Sequence, residues 1–216
     1  MAIQSSNGPL GQISGRVGNK IYYVSNGKQY VKSAPKRYSK PPRAGQINQR
    51  EKMKLAVHLI SGIREILKEC ISAHTWKEYT MGYIIKRNLK DGITNQFPDF
   101  EIDFRNVVLT RGMLASSCPR GVKLEENNML YISWGKIPHL VADEYDEVLV
   151  FLCEKSHKRI WAWPATGAIR SNYELRLDLS HALAGQQLHV WLAFRSRRGE
   201  YSKSTYAGFV DVLVSR

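Results

Sequence analysis

The second half of the chain, residues 100–216, is a succession of short β-prone segments, and this pattern constrains the fold more than any other sequence feature. The nine predicted strands are 100–104, 107–110, 121–124, 130–134, 147–153, 159–163, 173–179, 188–194 and 207–214. Several of them alternate apolar and polar residues, and turn-forming clusters separate them. Short strands at this spacing favour two antiparallel sheets packed as a sandwich.

Three stretches, 130–134, 148–152 and 188–194, resemble the core strands of a fibronectin type III or immunoglobulin-like domain. That fold usually places a corner tyrosine where this chain has Leu188, so the resemblance concerns architecture rather than sequence signature. We therefore expect an α+β protein, mainly β. Its order is an N-terminal β-hairpin arm, a helical hairpin, and then an antiparallel fibronectin type III/immunoglobulin-like β-sandwich.

The middle of the chain has helical periodicity instead. Over residues 47–71, apolar side chains recur every three or four positions and predict one inward-facing stripe. That stripe consists of Met53, Val57, Ile60, Ile63, Leu67 and Ile71. A second helix is predicted around residues 75–90, ended by Asp91 and Gly92. Its inward side chains are predicted to be Trp76, Tyr79, Tyr83 and Ile84.

The first fifty residues contain nine Lys or Arg and no Asp or Glu, in a chain whose net charge is +13. The β-prone runs 20–24 and 28–32 flank Asn26 and Gly27, which predicts a hairpin with a type I′ turn. Prolines then favour an extended strap over residues 34–43. We expect three regions: a basic Gly/Pro-rich hairpin arm (1–46), a helical segment (47–98) and the β-sandwich (99–216).

Several motifs, most of them in the first fifty residues, also carry a resemblance to a known family. They are Gly11, Gly15-Arg16, Gly18-Asn19, Tyr23, Gly27-Lys28, residues 30–33, Pro35, Pro41-Pro42, residues 46–50, residues 97–104, Val107 and residues 110–114. Together they resemble an uncharacterised family of Bacteroidota proteins, catalogued only as a domain of unknown function. The resemblance implies no activity, cofactor or catalytic residue. It does imply that the basic N-terminal segment belongs to the protein and is not an expression tag.

No motif of known catalytic chemistry stands out. The glycines of residues 8–18 lack the spacing of a phosphate-binding loop, and the six histidines are scattered singly. Neighbouring carboxylates, such as Asp146 and Glu147, are expected to be solvated rather than paired across a cleft. We therefore expect a protein that is not an enzyme and that uses no metal or cofactor.

The bulk composition indicates a soluble protein. No run approaches the ~18 apolar residues of a membrane span, and the N-terminus lacks the apolar centre of a signal peptide. Cys70, Cys118 and Cys153 are odd in number and far apart, which favours reduced thiols over disulfides. A cytoplasmic location, with no membrane partner, is the resulting expectation.

The cationic arm is the main functional feature. Cations interleaved with tyrosines are typical of surfaces that hold nucleic acid, since cations contact the phosphates and rings stack on the bases. A non-enzymatic protein that binds nucleic acid or another polyanion is therefore the first hypothesis. The predicted binding residues are Arg16, Lys20, Lys28, Lys32, Lys36, Arg37, Lys40, Arg43, Arg50, Tyr23, Tyr30 and Tyr38.

Two alternatives remain open. In one, the protein is a structural component of a homo-oligomer or a multi-subunit, phage-like particle, and its arm docks on a neighbouring subunit or an acidic protein surface. In the other, the sandwich binds carbohydrate through Trp161 and Trp163. These two side chains share one face of a predicted strand because their spacing is two.

Overall fold

The computed structural model describes residues 3–5, 12–36, 41–73, 79–136, 143–156, 158–163, 166–179 and 187–212. The chain divides into two compact units, Met1–Arg43 and Ala44–Arg216. The order of elements confirms an α+β protein that is mainly β, with an N-terminal strand region, helices and then antiparallel sheets.

The first unit is a four-stranded antiparallel sheet with its strands in chain order. The strands are β1 (Ile3–Ser5), β2 (Gln12–Val17), β3 (Lys20–Ser25) and β4 (Lys28–Ser33). The predicted hairpin is confirmed: Asn26 and Gly27, with φ of 51° and 73°, form the two-residue turn between β3 and β4. Positive φ at both positions is what a type I′ turn requires. The unit is therefore a larger sheet than the single hairpin predicted.

The second unit begins with helices. They are α1 (Ala44–Ile60), α2 (Arg64–Ala73) and α3 (Met81–Arg87). A 3₁₀ turn, Ser61–Ile63, joins α1 to α2, and a π-helical turn, Asn88–Gly92, follows α3. Thr80 caps the start of α3, since its side-chain oxygen accepts a hydrogen bond from the Tyr83 backbone N–H. A short β-ladder, β5 (Ile93–Thr94) with β6 (Glu101–Ile102), leads into the sandwich.

The sandwich has one four-stranded and one three-stranded antiparallel sheet, in the orders β10-β9-β12-β13 and β11-β8-β7. Its strands are β7 (Cys118–Glu125), β8 (Met129–Gly135), β9 (Glu147–Glu154), β10 (Ile160–Trp163), β11 (Glu174–Asp178), β12 (Gln187–Arg195) and β13 (Thr205–Asp211). Consecutive strands change sheet between β8 and β9, between β10 and β11, and between β11 and β12. This three-plus-four arrangement is that of a fibronectin type III-like sandwich.

The four-stranded sheet is covered on both faces. On one face, Val148, Val150 and Leu152 of β9 pack against the three-stranded sheet. On the other, Leu149 and Phe151 pack in a cluster with residues of α1, α2 and α3. The second unit therefore has three layers: helices, the four-stranded sheet and the three-stranded sheet.

The predicted helical stripe is wrong at its N-terminal end. Met53 and Val57 are 41% and 44% exposed, whereas Ala56 and Leu59 are fully buried. The 3₁₀ turn changes the rotation per residue, so the buried side of α1 is not the extrapolated side of α2. Gly62 lies in this turn, where a Cβ atom would come within 2.2 Å of the Ile160 carbonyl oxygen of β10. A close backbone approach at Gly62 thus sets how the helices meet the sheet.

Seven of the nine predicted strands are confirmed within a few residues, and two need correction. The segment 107–110 is not a strand, because its backbone bonds to side chains: the Asn88 side chain bonds to Val108, and Ser204 Oγ accepts from Leu109 and Thr110. Segment 100–104 retains only the two strand residues of β6. The second helix starts at Met81, and Trp76 lies outside the described residues.

We expect the shared helix–sheet cluster to dominate the stability of the second unit. Leu67 of α2 is fully buried in this cluster, so Leu67→Ala should lower the free energy of unfolding by about 2–5 kcal/mol. Met53→Ala removes a similar volume from an exposed site and should cost less than about 1 kcal/mol. Urea unfolding of both variants provides the measurement. Equal losses would show that the helices do not pack on the sheet as described.

Candidate nucleic-acid interface

The register of β2, β3 and β4 divides the sheet of the first unit into two chemically different faces. Side chains of directly paired residues lie on the same face, and successive residues alternate. The pairs Arg16↔Ile21, Ile21↔Lys32, Tyr23↔Tyr30 and Ser25↔Lys28 therefore share one face. We call this the cationic face; it consists of Ser14, Arg16, Ile21, Tyr23, Ser25, Lys28, Tyr30 and Lys32.

Two stacked tyrosines occupy the middle of the cationic face. The ring centroids of Tyr23 and Tyr30 are 5.5 Å apart, and the ring planes differ by 21°. Both side chains stay exposed, at 39% and 43%. The Lys32 ammonium lies 5.1 Å from the Tyr23 ring centroid, within the range of a cation–π contact. The stacked rings therefore form an aromatic platform with one open ring surface and a cation beside it.

Three cations surround this platform. Lys28 and Lys32 flank Tyr30 along β4 at spacings of about 7 Å, the length of two strand residues. Arg16 of β2 completes the set, and its Nε donates to the Gly18 carbonyl oxygen at 3.0 Å, which holds the side chain at this end of the sheet. The first fifty residues contain no carboxylate side chain, so none within the unit can neutralise these charges. The charged side chains on this face are therefore all positive.

The remaining predicted binding residues do not join this face. Lys20 pairs with Ser33 and Val17, which places it on the opposite side of the sheet. Lys36 and Arg43 are exposed beyond β4. Arg50 belongs to α1 of the second unit. The other three, Arg37, Tyr38 and Lys40, lie outside the described residues.

The opposite face is apolar, which the sequence interpretation missed. It consists of Ile13, Gly15, Val17, Lys20, Tyr22, Val24, Gln29, Val31 and Ser33. Val17 and Val31 are each 52% exposed, and Val24 is 38% exposed. The signal was available in the sequence, since a two-residue turn at Asn26 and Gly27 fixes which residues pair and hence which face each one occupies.

The tryptophans proposed for carbohydrate binding lie elsewhere. Trp161 and Trp163 of β10 are only partly accessible, and both pack against the cluster between the two sheets of the sandwich. Their rings are therefore engaged with Leu, Val and Phe side chains. Neither side chain is among the exposed large hydrophobic residues of the described chain.

Several carboxylates of the second unit are paired with arginines. Asp146 was expected to be solvated, but it is buried and accepts hydrogen bonds from Arg170 at 2.9 and 3.1 Å. Burial raises the pKa of this carboxyl, and Arg170 opposes that effect. Glu147 pairs with Arg195. The Asp146–Arg170 pair fixes its loop against the sheet, because Arg170 also lies 3.7 Å from the centroid of the Phe194 ring. Glu147 and Arg195 are instead direct cross-strand neighbours on β9 and β12.

No group of three or more His, Cys, Asp or Glu side chains among the described residues is arranged to hold a metal ion. No helix among the described segments is both long and apolar enough to cross a membrane.

His189 of β12 is the most strongly perturbed histidine of the described chain. Its ring stacks on Phe104 at 3.6 Å between centroids, and its Nδ1 lies 2.8 Å from the Tyr206 hydroxyl. Burial, with a smaller contribution from the nearby Lys155 charge, lowers the pKa of His189 to about 4. The imidazole is therefore neutral at pH 7 and serves as a packed aromatic ring.

Acid should destabilise the second unit through His189. The unfolded chain takes up a proton near pH 6.5, while the folded state resists protonation down to about pH 4. Stability is thus lost as pH falls through this window, by up to about 3 kcal/mol. His189→Gln should show a smaller loss between pH 6.5 and 4 in urea unfolding experiments. If the variant and the wild type lose the same stability in this window, His189 is not the responsible group.

The comparisons with known proteins place the chain in a family but assign it no activity. A family model described as a family of unknown function (DUF6266) matches residues 12–208. The match spans both units, from β2 of the first sheet to β13 of the sandwich. No curated protein matches the chain, and no solved structure matches it. With most of its length covered, the chain belongs to the DUF6266 family, a family of unknown function.

Proposed function

We propose that the protein binds nucleic acid without catalysis, through the cationic face of its N-terminal sheet. The observation that carries this proposal is the exposed Tyr23–Tyr30 stack with Lys28, Lys32 and Arg16 around it. Each component has a counterpart in a nucleic acid. Ammonium and guanidinium groups neutralise phosphates, and an open aromatic surface accepts a base.

The geometry favours a single strand over a duplex. Bases of a duplex are stacked on one another and cannot reach a tyrosine ring, whereas those of a single strand can turn onto it. Lys28 and Lys32 lie on both sides of Tyr30 along one strand. A backbone that follows β4 can therefore place phosphates near both lysines while one base contacts the tyrosine stack. Stacking and phosphate contacts do not read the edges of the bases, so we expect weak sequence preference.

The alternative functions are supported less well. Carbohydrate binding depends on Trp161 and Trp163, whose rings pack against the sandwich core. Assembly through the N-terminal unit has one observation in its favour, the apolar side of the same sheet, and is compatible with nucleic-acid binding because the two faces are distinct.

Charge on the cationic face should matter more than the same charge on the other face. Lys28 and Lys20 offer a matched pair, since each stands at an end of the β3–β4 hairpin opposite a serine. Lys28→Gln should weaken binding of full-length protein to a fluorescent oligothymidylate and reduce the salt dependence by roughly one phosphate contact. Lys20→Gln should have a clearly smaller effect. Fluorescence anisotropy over a series of salt concentrations measures both.

Equal effects of the two lysine substitutions would mean that only net charge matters. No measurable binding of the wild type at low salt to an oligothymidylate of about 20 nucleotides, longer than the ~4–16 that one such surface covers, would rule out the proposed function.

The tyrosine stack should confer the preference for single strands. Tyr30→Leu keeps an apolar side chain on β4 but removes the aromatic surface, so affinity for the oligothymidylate should fall by about 1–3 kcal/mol. Affinity for a duplex of the same length should change little, because the duplex contacts only the cations. Competition between the two ligands provides the measurement. An equal loss for both ligands would argue that Tyr30 supports the sheet rather than contacting bases.

A further inference from the structure

One face of the N-terminal sheet carries exposed apolar side chains, which is unfavourable in water. Exposed apolar surface is stabilised by a second layer packed against it. The two buried hydrophobic clusters of the described chain, however, consist of residues from the second unit. Val17 and Val31, at 52% exposure each, are not part of either cluster.

We propose that this apolar face is a homodimer interface, and that its occupant is the same face of a second copy. The interface side chains are Ile13, Val17, Tyr22, Val24 and Val31. Two such sheets would pack about 10 Å apart with their inner side chains interdigitated, as the layers of a β-sandwich do. The contact is isologous, because both copies use the same residues.

The distribution of charge favours a second copy of the chain as the partner of this face. The apolar face has no carboxylate, and its one cation, Lys20, lies at the start of β3, next to the Gly18–Asn19 turn. Such a face has little to attract a charged partner, whereas the same apolar side chains of a second copy complement it. Arg16, Lys28 and Lys32 all lie on the other side. Pairing through the apolar faces therefore keeps the two sets of cations apart and leaves both in solvent.

The available area suits a reversible dimer. The three strands β2, β3 and β4 have six residues each. Such strands are about 20 Å long and lie about 4.8 Å apart, so the face covers roughly 290 Å² in projection. Over two copies, with the flanks of the side chains included, on the order of 1,000 Å² of accessible surface becomes buried, the lower limit of a specific interface. We therefore expect association that depends on protein concentration, not a permanent dimer.

Pairs of substitutions on the same sheet test the interface. Val17→Lys puts a charge into the apolar face, whereas Ser14→Lys adds the same charge to the cationic face of the same strand. The full-length proteins are compared by sedimentation equilibrium without nucleic acid, so the result does not depend on the proposed function. The wild type should shift from one chain to two with concentration. Val17→Lys should raise the dimer dissociation constant at least tenfold, and Ser14→Lys should leave it near the wild-type value.

A milder substitution controls for the possibility that Val17→Lys misfolds. Val31→Thr retains the β-branched shape on the edge strand β4 and should weaken the dimer while circular dichroism stays unchanged. A wild type that remains monomeric at every concentration overturns the proposal. So does a dimer that is equally stable in the Val17→Lys, Ser14→Lys and Val31→Thr variants, since the contact would then lie on another surface.

Discussion

The four-stranded sheet β10-β9-β12-β13, buried on both faces, is the constraint on which the second unit depends. In β9 and β12, neighbouring residues belong to different cores: Phe151 packs with the helices, and Leu152 packs with the three-stranded sheet. An antiparallel sheet with one solvated face would show strict alternation, but burial of both faces demands nearly uninterrupted apolar sequence. Each central strand therefore couples the helices to the sandwich.

In contrast, the N-terminal sheet has exposed side chains on both faces, and both faces are proposed to bind a partner. It has few buried side chains and keeps cations with a tyrosine stack on one face and apolar side chains on the other. The two faces fit two partners of different chemistry. If nucleic acid occupies one and a second copy occupies the other, a dimer offers two cationic faces. A strand that reaches both then gains affinity through effective concentration, without any new contact.

Local signals in the sequence predicted the parts of the fold that depend on neighbouring residues. Asn26 and Gly27 predicted a turn because few residues adopt positive φ, and alternation predicted most sandwich strands. Parts that depend on distant contacts were missed. Segment 107–110 has strand-like residues, but the side chains of Asn88 and Ser204 bond to its backbone. Met53 fits the periodicity of the predicted helical stripe, but it is exposed because the 3₁₀ turn changes which side of α1 is buried.

The most direct test of the account is whether ligand contacts one face of the N-terminal sheet. Aromatic carbon-13 NMR spectra of the full-length protein, recorded while oligothymidylate is added, report on each tyrosine ring separately. We predict that the Tyr23 and Tyr30 resonances shift, because bases stack on these rings, while those of Tyr22 on the apolar face stay near their free positions. Shifts at Tyr22 without shifts at Tyr23 and Tyr30, or shifts confined to the second unit, would contradict the account.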